Sequence, residues 1–285
     1  MQFEDMINKI QLGDCYELIK DIPDKSIDCI YVDVPYLMVS GGAGTSEISK
    51  RSAKNKMELL GVGKLYDSSK KPSENLRIAN NKKNQRNELN NSNITSGFDY
   101  KKFIKESFRI MKKCNIFIWC SPMQILDIMN ELHKYNTNTI VILTWNKTNP
   151  IPTTNNNWLS DIEYCLYLRE KGIPLNNGYE LKSKWHTSPI NQNDKELFNH
   201  PTIKPLDLVK RHILHSTQPN DIVLDCFCGS GTTCVACRET GRRFIGMEID
   251  PEYHKIAVNR LKGITANGQT SIIFDGNGGK FFDEV

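Results

Sequence analysis

The sequence predicts an α/β fold, a mainly parallel sheet with helices on both faces, and three observations carry that expectation. Strand-type and helix-type patterns alternate along almost the whole chain. The runs Ile27–Val32, broken only by Asp28, and Ile116–Cys120 are apolar without alternation, as strands buried on both faces are. A third strand-type run, from Asp221, passes into a glycine turn that opens a helix. The 285 residues are 39% hydrophobic and 25% charged, which excludes a mainly disordered or collagenous chain. They fit a single large domain over 1–285, carrying an insertion at 39–97.

In order, Lys9 to Cys15 is a short apolar-polar stretch and Tyr16 to Ile22 has helical spacing. The strand Ile27–Val32 stops at Asp33-Val34-Pro35-Tyr36. Phe98 to Lys112 repeats at helical spacing, with Phe103, Ile104, Phe108 and Met111 on one face. Strand Ile116–Cys120, helix Pro122–Tyr135 and strands Thr139–Trp145 and Asp161–Leu168 follow. Then come helix Lys204–Thr217, strand Asp221–Phe227, helix Thr232–Thr240, strand Arg243–Ile249 and helix Glu252–Lys262. Two stretches break the alternation. Val39 to Gly97 is rich in Gly, Ser, Asn and Lys and too long for a connection. Gly172 to His200 reads as irregular.

The formal charge of +4 is unevenly spread. Residues 39–97 hold eleven Lys/Arg against five Asp/Glu, a balance of +6, which leaves −2 for the rest. A basic segment on a near-neutral body fits a polyanion partner, nucleic acid first, with Lys50, Arg51, Lys54 and Lys56 as phosphate contacts. It equally fits a solvated loop. The chain lacks an apolar run long enough to span a bilayer, and Met1 to Ile10 does not have the pattern of a secretory leader. The nine cysteines are odd in number, and Cys29, Cys120 and Cys165 fall in apolar runs. They read as reduced, buried thiols of an intracellular protein. Cys226, Cys228, Cys234 and Cys237 read as packing around a turn and helix, so no metal site is expected.

The strongest local signal is Asp225-Cys-Phe227-Cys-Gly229-Ser230-Gly231-Thr232. Glycines let a ligand approach the backbone, and the helix start offers unpaired N–H groups. Glu248 follows Gly229 by 19 residues, at the end of the next strand, where an acid accepts from ribose hydroxyls. A Walker loop needs Lys where Thr232 stands, and a dinucleotide fold wants glycine where Cys234 stands. What remains suits a nucleoside cofactor with a cationic amino-acid end, such as S-adenosylmethionine.

Asp33-Val34-Pro35-Tyr36 leaves a buried strand where α/β active sites lie. Together with the glycine turn it resembles the Asp-Pro-Pro-Tyr motif of amino-group DNA methyltransferases. Gly13-Asp14-Cys15, His200-Pro-Thr202-Ile-Lys204-Pro205, Thr144 to Pro152, Glu163 to Leu168 and Gly246 to Pro251 resemble the same family. The order, catalytic motif before cofactor motif, resembles its circularly permuted β group. The resemblance implies a Rossmann-like, S-adenosylmethionine-dependent methyltransferase fold acting on double-stranded DNA, and by analogy a homodimer. It implies that Asp33, Val34, Pro35 and Tyr36 meet a flipped-out base. It also implies that Asp14, Cys15, Thr202, Lys204, Asp225, Phe227, Gly229, Ser230, Gly231, Thr232 and Glu248 form the cofactor site. Among these, Asp14 would take the adenine amine, Glu248 the ribose, and Thr202 and Lys204 the methionine end. Val34 departs from the family's proline but keeps its backbone carbonyl. Asp at 33 resembles members that modify adenine N6. Cytosine N4, RNA, or a catalytically inactive DNA-binding relative are the alternatives. The family's target-recognition region corresponds to the short 172–199 stretch, so the 39–97 insertion is expected to share in DNA contact.

Overall fold

The computed structural model describes residues 2–35, 98–135, 140–150, 158–173, 175–176, 182–198, 200 and 202–268. Tyr36, the insertion at 39–97 and its Lys50, Arg51, Lys54 and Lys56 lie outside the described residues. The chain divides into two compact units. One comprises 1–34, 99–148 and 162–285; the other, 35–98 and 149–161, lies mostly outside the described residues.

The sheet of the first unit has eight strands: β1 (Lys9–Leu12), β2 (Cys29–Asp33), β3 (Asn115–Cys120), β4 (Ile140–Lys147), β5 (Ile162–Arg169), β6 (Trp185–Ser188), β7 (Ile222–Asp225) and β8 (Arg243–Glu248). Their order is β1-β8-β7-β2-β3-β5-β4-β6. The first five in that order run parallel. β5 is antiparallel to both β3 and β4, while β6 is parallel to β4. Every residue of β3 and β7 is buried, so both faces of the sheet centre are covered, in keeping with their largely apolar sequences. Truncating a side chain such as Ile118, 1% exposed, to alanine would cost about 2–5 kcal/mol.

The helices are α1 (Phe3–Met6), α2 (Cys15–Leu18), α3 (Tyr100–Ile110), α4 (Ile125–His133), α5 (Gln192–Phe198), α6 (Leu206–Ser216), α7 (Thr232–Glu239) and α8 (Pro251–Leu261). Aspartates start several of them. Asp99 Oδ1 accepts from the Lys101 and Lys102 N–H groups, and Asp250 Oδ1 from those of Glu252 and Tyr253. α3 buries Phe103, Ile104, Ser107 and Ile110, close to the face its spacing predicted. β6 and α5 depart from the sequence expectation, which left 172–200 irregular, and α1 falls where the sequence reading placed no element. The cause is local. β6 is an edge strand of four residues with no buried side chain, and α5 buries Phe198. Neither segment carries a long apolar periodicity.

Beneath the sheet's active end runs a buried polar chain. Trp119 Nε1 donates to Tyr31 Oη at 2.8 Å, and Tyr31 Oη lies 3.3 Å from His212 Nδ1. His212 stacks on Phe117 at 5.1 Å. Burial, then the nearby Arg211 charge, pull the His212 imidazole down to about 3, so the ring is neutral. All nine cysteines are buried free thiols.

Candidate active site

The five parallel strands deliver their carboxyl ends to one edge of the sheet. Those ends carry Asp14 after β1, Glu248 on β8, Asp225 on β7, Asp33 on β2 and Cys120 on β3. Such an edge is where an open α/β sheet holds its ligand.

The glycine turn after β7 has the backbone its sequence predicts. Gly229 and Gly231 have φ of +48° and +75°, left-handed conformations that other residues rarely hold. A Cβ on Gly231 would also come within 3.1 Å of Ala257 Cβ on α8, and one on Gly229 within 3.4 Å of His200 Nε2. Glu248 clamps this turn: its Oε2 accepts from Gly229 N at 2.8 Å and its Oε1 from Asp250 N at 2.9 Å. Burial raises its carboxyl above the usual range. Asp225 is buried beneath the turn, accepting from Phe227 N at 3.1 Å, and burial lifts it to about 7. Phe227 rests near Phe103 of α3, with centroids 5.7 Å apart.

The Ser230 and Thr232 side chains face inward. Arg260, buried on α8, donates to Ser230 Oγ at 3.2 Å and Thr232 Oγ1 at 2.6 Å, and reaches Asp194 of α5 at 3.1 Å. Their hydroxyls therefore brace the turn, leaving the backbone of the turn to meet a ligand. Arg260 carried no motif in the sequence; only its burial identifies it. Asp14 is exposed and holds the start of α2 through Tyr16 N, with Cys15 buried behind it.

On β2, Asp33 Oδ2 lies 2.7 Å from Lys204 Nζ. Lys204 also reaches Glu163 Oε2 at 2.8 Å, and Lys147 reaches Glu163 Oε1 at 2.7 Å. Each ammonium sits over an indole, Lys204 over Trp119 at 5.0 Å and Lys147 over Trp145 at 5.3 Å. Burial would raise Glu163, but the two lysines outweigh it and hold its carboxyl down to about 2. Lys204, which the resemblance assigned to the methionine end of a cofactor, is thus the partner of Asp33 in this structure. Thr202 is exposed nearby in the chain. Val34 is buried, and its N–H donates to the Trp119 carbonyl at 3.1 Å, a bond the family's proline cannot make. Pro35 opens the second unit.

The residues present fit S-adenosylmethionine. His200 Nδ1 accepts from Thr202 N at 3.3 Å, which leaves the proton on Nε2. That Nε2 is buried against Gly229 with no partner among the described residues, a donor pointed at the turn. Burial, then Arg260, lower His200 to about 4, so it stays neutral and presents one N–H. Leu12 and Ile249, beside Glu248, are 50% and 53% exposed, an apolar shelf at the strand ends.

Comparisons with known proteins bear on the family and the fold. Residues 27–259 match the model of the DNA methylase family of N6 and N4 methyltransferases. The chain is 28% identical over 269 residues to the type II methyltransferase M2.LlaDCHI of Lactococcus lactis subsp. cremoris, covering 89% of each chain. It is 30% identical to the type II methyltransferase M.HinfI of Haemophilus influenzae over 92% of this chain and 70% of that one. The crystal structure of the M1.HpyAVI–SAM complex shares the fold, with a TM-score of 0.55 at 22% identity over 89% of this chain and 99% of that one. The sheet order, the glycine turn with its acids and the match over 233 residues make one case, and the chain belongs to the DNA methylase family.

Proposed function

We propose that this protein transfers a methyl group from S-adenosylmethionine to the exocyclic N6 of adenine in double-stranded DNA. The observation that carries the reading is Asp33 at the end of β2, next in the sheet to β7 and its glycine turn. When bound, the cofactor supplies an electrophilic methyl group on a sulfonium. The amine of adenine is a poor nucleophile because its lone pair is delocalised into the ring. The Asp33 carboxylate and the Val34 carbonyl accept its two N–H groups and draw that pair onto nitrogen. Lys204 pairs with the carboxylate and orients it. The nitrogen would take the methyl group that the cofactor supplies and lose one proton, which would pass by way of the Asp33 carboxylate to water. Positioning and electrostatics supply the rate, and no covalent enzyme intermediate is required. Glu248 holds the ribose, Asp14 the adenine amine of the cofactor, and Leu12 and Ile249 flank its ring.

The target base must leave the helix, at a cost of a few kcal/mol. Tyr36 stacks on it and returns about 1–3 kcal/mol. Lys50, Arg51, Lys54 and Lys56 contact phosphates, which position the enzyme without reading sequence. Adenine is supported by the aspartate at 33 and by a relative named DNA adenine methyltransferase YhdJ of Escherichia coli, 29% identical over 87% of this chain. The type II methyltransferase names of the other relatives support a role in bacterial restriction-modification inside the cell, and likeness to the family's β group suggests a homodimer as the working unit. No helix among the described residues is long and apolar enough to cross a membrane.

Tritium transfer from labelled cofactor to duplex DNA, followed by nucleoside analysis, tests the reading. N6-methyl-2′-deoxyadenosine is expected, and Asp33→Ala should abolish it while cofactor affinity stays within a few fold. Label in N4-methyl-2′-deoxycytidine, or a fully active Asp33→Ala enzyme, would overturn it.

A further inference from the structure

The chain Asp33–Lys204–Glu163–Lys147 alternates in charge and sums to zero. Glu163 is its pivot. It is the carboxylate that both lysines share, one oxygen to each. Remove its charge and two ammonium groups face one carboxylate at the point where the methyl group is transferred. Both lysines are also seated on indole rings, Trp119 and Trp145, and Trp119 is fixed in turn by Tyr31. They therefore stay in place when Glu163 is neutralised, and the change at the site is one of charge more than of shape.

The cofactor and its product differ in that charge. S-adenosylmethionine carries a sulfonium cation; S-adenosylhomocysteine carries a neutral thioether in its place. Their ribose, adenine, ammonium and carboxylate are the same. A ratio of their affinities therefore reports the electrostatic potential at sulfur and cancels most other contributions.

We propose that Glu163 is a specificity-determining residue for the charge state of the cofactor. By neutralising Lys147 it keeps the transfer site from repelling the sulfonium, and so sets the preference for substrate over spent product. The inference rests on the reading that transfer takes place beside Asp33. Glu163 touches neither reacting atom; it acts through Lys204 and through the field of the cluster.

The test is calorimetric affinity for both ligands in four proteins: wild type, Glu163→Gln, Lys147→Met and the double variant. Glu163→Gln leaves a net positive cluster, and should weaken S-adenosylmethionine relative to S-adenosylhomocysteine by roughly tenfold, the scale for one charge in a partly buried site. Lys147→Met leaves a net negative cluster and should move the ratio the opposite way. The double variant is neutral again and should return the ratio to near wild type. It also replaces a buried ion pair without stranding a charge, so it keeps the test open if Glu163→Gln folds poorly. A ratio that moves the same way in both single variants, or not at all, overturns the proposal. So does a double variant as impaired as Glu163→Gln. Wild-type methyl transfer to adenine is measured alongside. If it is present while the ratios do not move, only the role of Glu163 fails; if it is absent, the reading beneath it fails too.

Discussion

Replacing Val34 with proline would restore the family's commoner motif, yet the structure says it should destabilise this protein. The Val34 N–H donates to the Trp119 carbonyl at 3.1 Å, one step beyond the Asp33–Trp119 register of β2 and β3. Proline has no such donor. Losing the bond and leaving a buried carbonyl short of it costs about 1–3 kcal/mol. Proline returns about 0.4–1 kcal/mol by restricting the unfolded chain. The expected net loss is about 1–2 kcal/mol, a fall in Tm of several degrees at the ~2–4 °C per kcal/mol typical of larger domains. Equilibrium urea unfolding should show a lower midpoint at an unchanged slope. Cofactor affinity should hold, because the substituted N–H is not proposed to touch that ligand. A variant as stable as wild type, or more so, would refute the claim that this N–H ties the catalytic strand to its neighbour.

Glu248→Ala should weaken S-adenosylmethionine by about 1.5–3 kcal/mol in calorimetry, and should also lower the Tm of the ligand-free protein, since Gly229 N and Asp250 N lose their acceptor. Asp225→Asn should stabilise the free protein at about pH 8 and weaken its cofactor binding. Burial raises the Asp225 carboxyl from 3.8 to about 7, so the folded state favours the protonated acid and loses stability as pH rises through that window. The gain on substitution, at most about 4 kcal/mol, should vanish in denaturation curves below about pH 4. Neutralising Lys50, Arg51, Lys54 and Lys56 together should weaken binding to all DNA sequences alike and flatten the log–log salt slope by about 0.9 per lost phosphate contact; an unchanged slope in a filter-binding titration would remove them from the interface.

Much of this molecule was legible in its residues, for reasons that differ by region. β3 and β7 announced themselves because strands covered on both faces are apolar over most of their length. The turn at Gly229 and Gly231 was legible because its left-handed backbone requires glycine. The Lys204 partnership was not, since the pair with Asp33 joins residues 171 apart and only the folded sheet brings them together. Arg260 and His200 escaped for the same reason. Their roles come from burial against the turn, which a single sequence does not encode locally. β6 was missed because an exposed edge strand is held by backbone pairing, and its side chains carry no periodic mark.

The place of β1 in the sheet has a consequence for the order of events during synthesis. β1 pairs with β8 at the sheet's edge, although more than 230 residues separate Lys9 from Ile245. Ribosomes emit the strand that leads to Asp14 long before its neighbour. Until Arg243–Glu248 has left the exit tunnel, β1 has no strand to lie against, and the acids at 14 and 248 cannot face a common ligand. Loop closure over such a span is slow and comes late in folding. A nascent chain can therefore carry Asp33 on a formed β2–β3 pair before the proposed cofactor site exists, so methylation capacity would appear only once synthesis has passed β8.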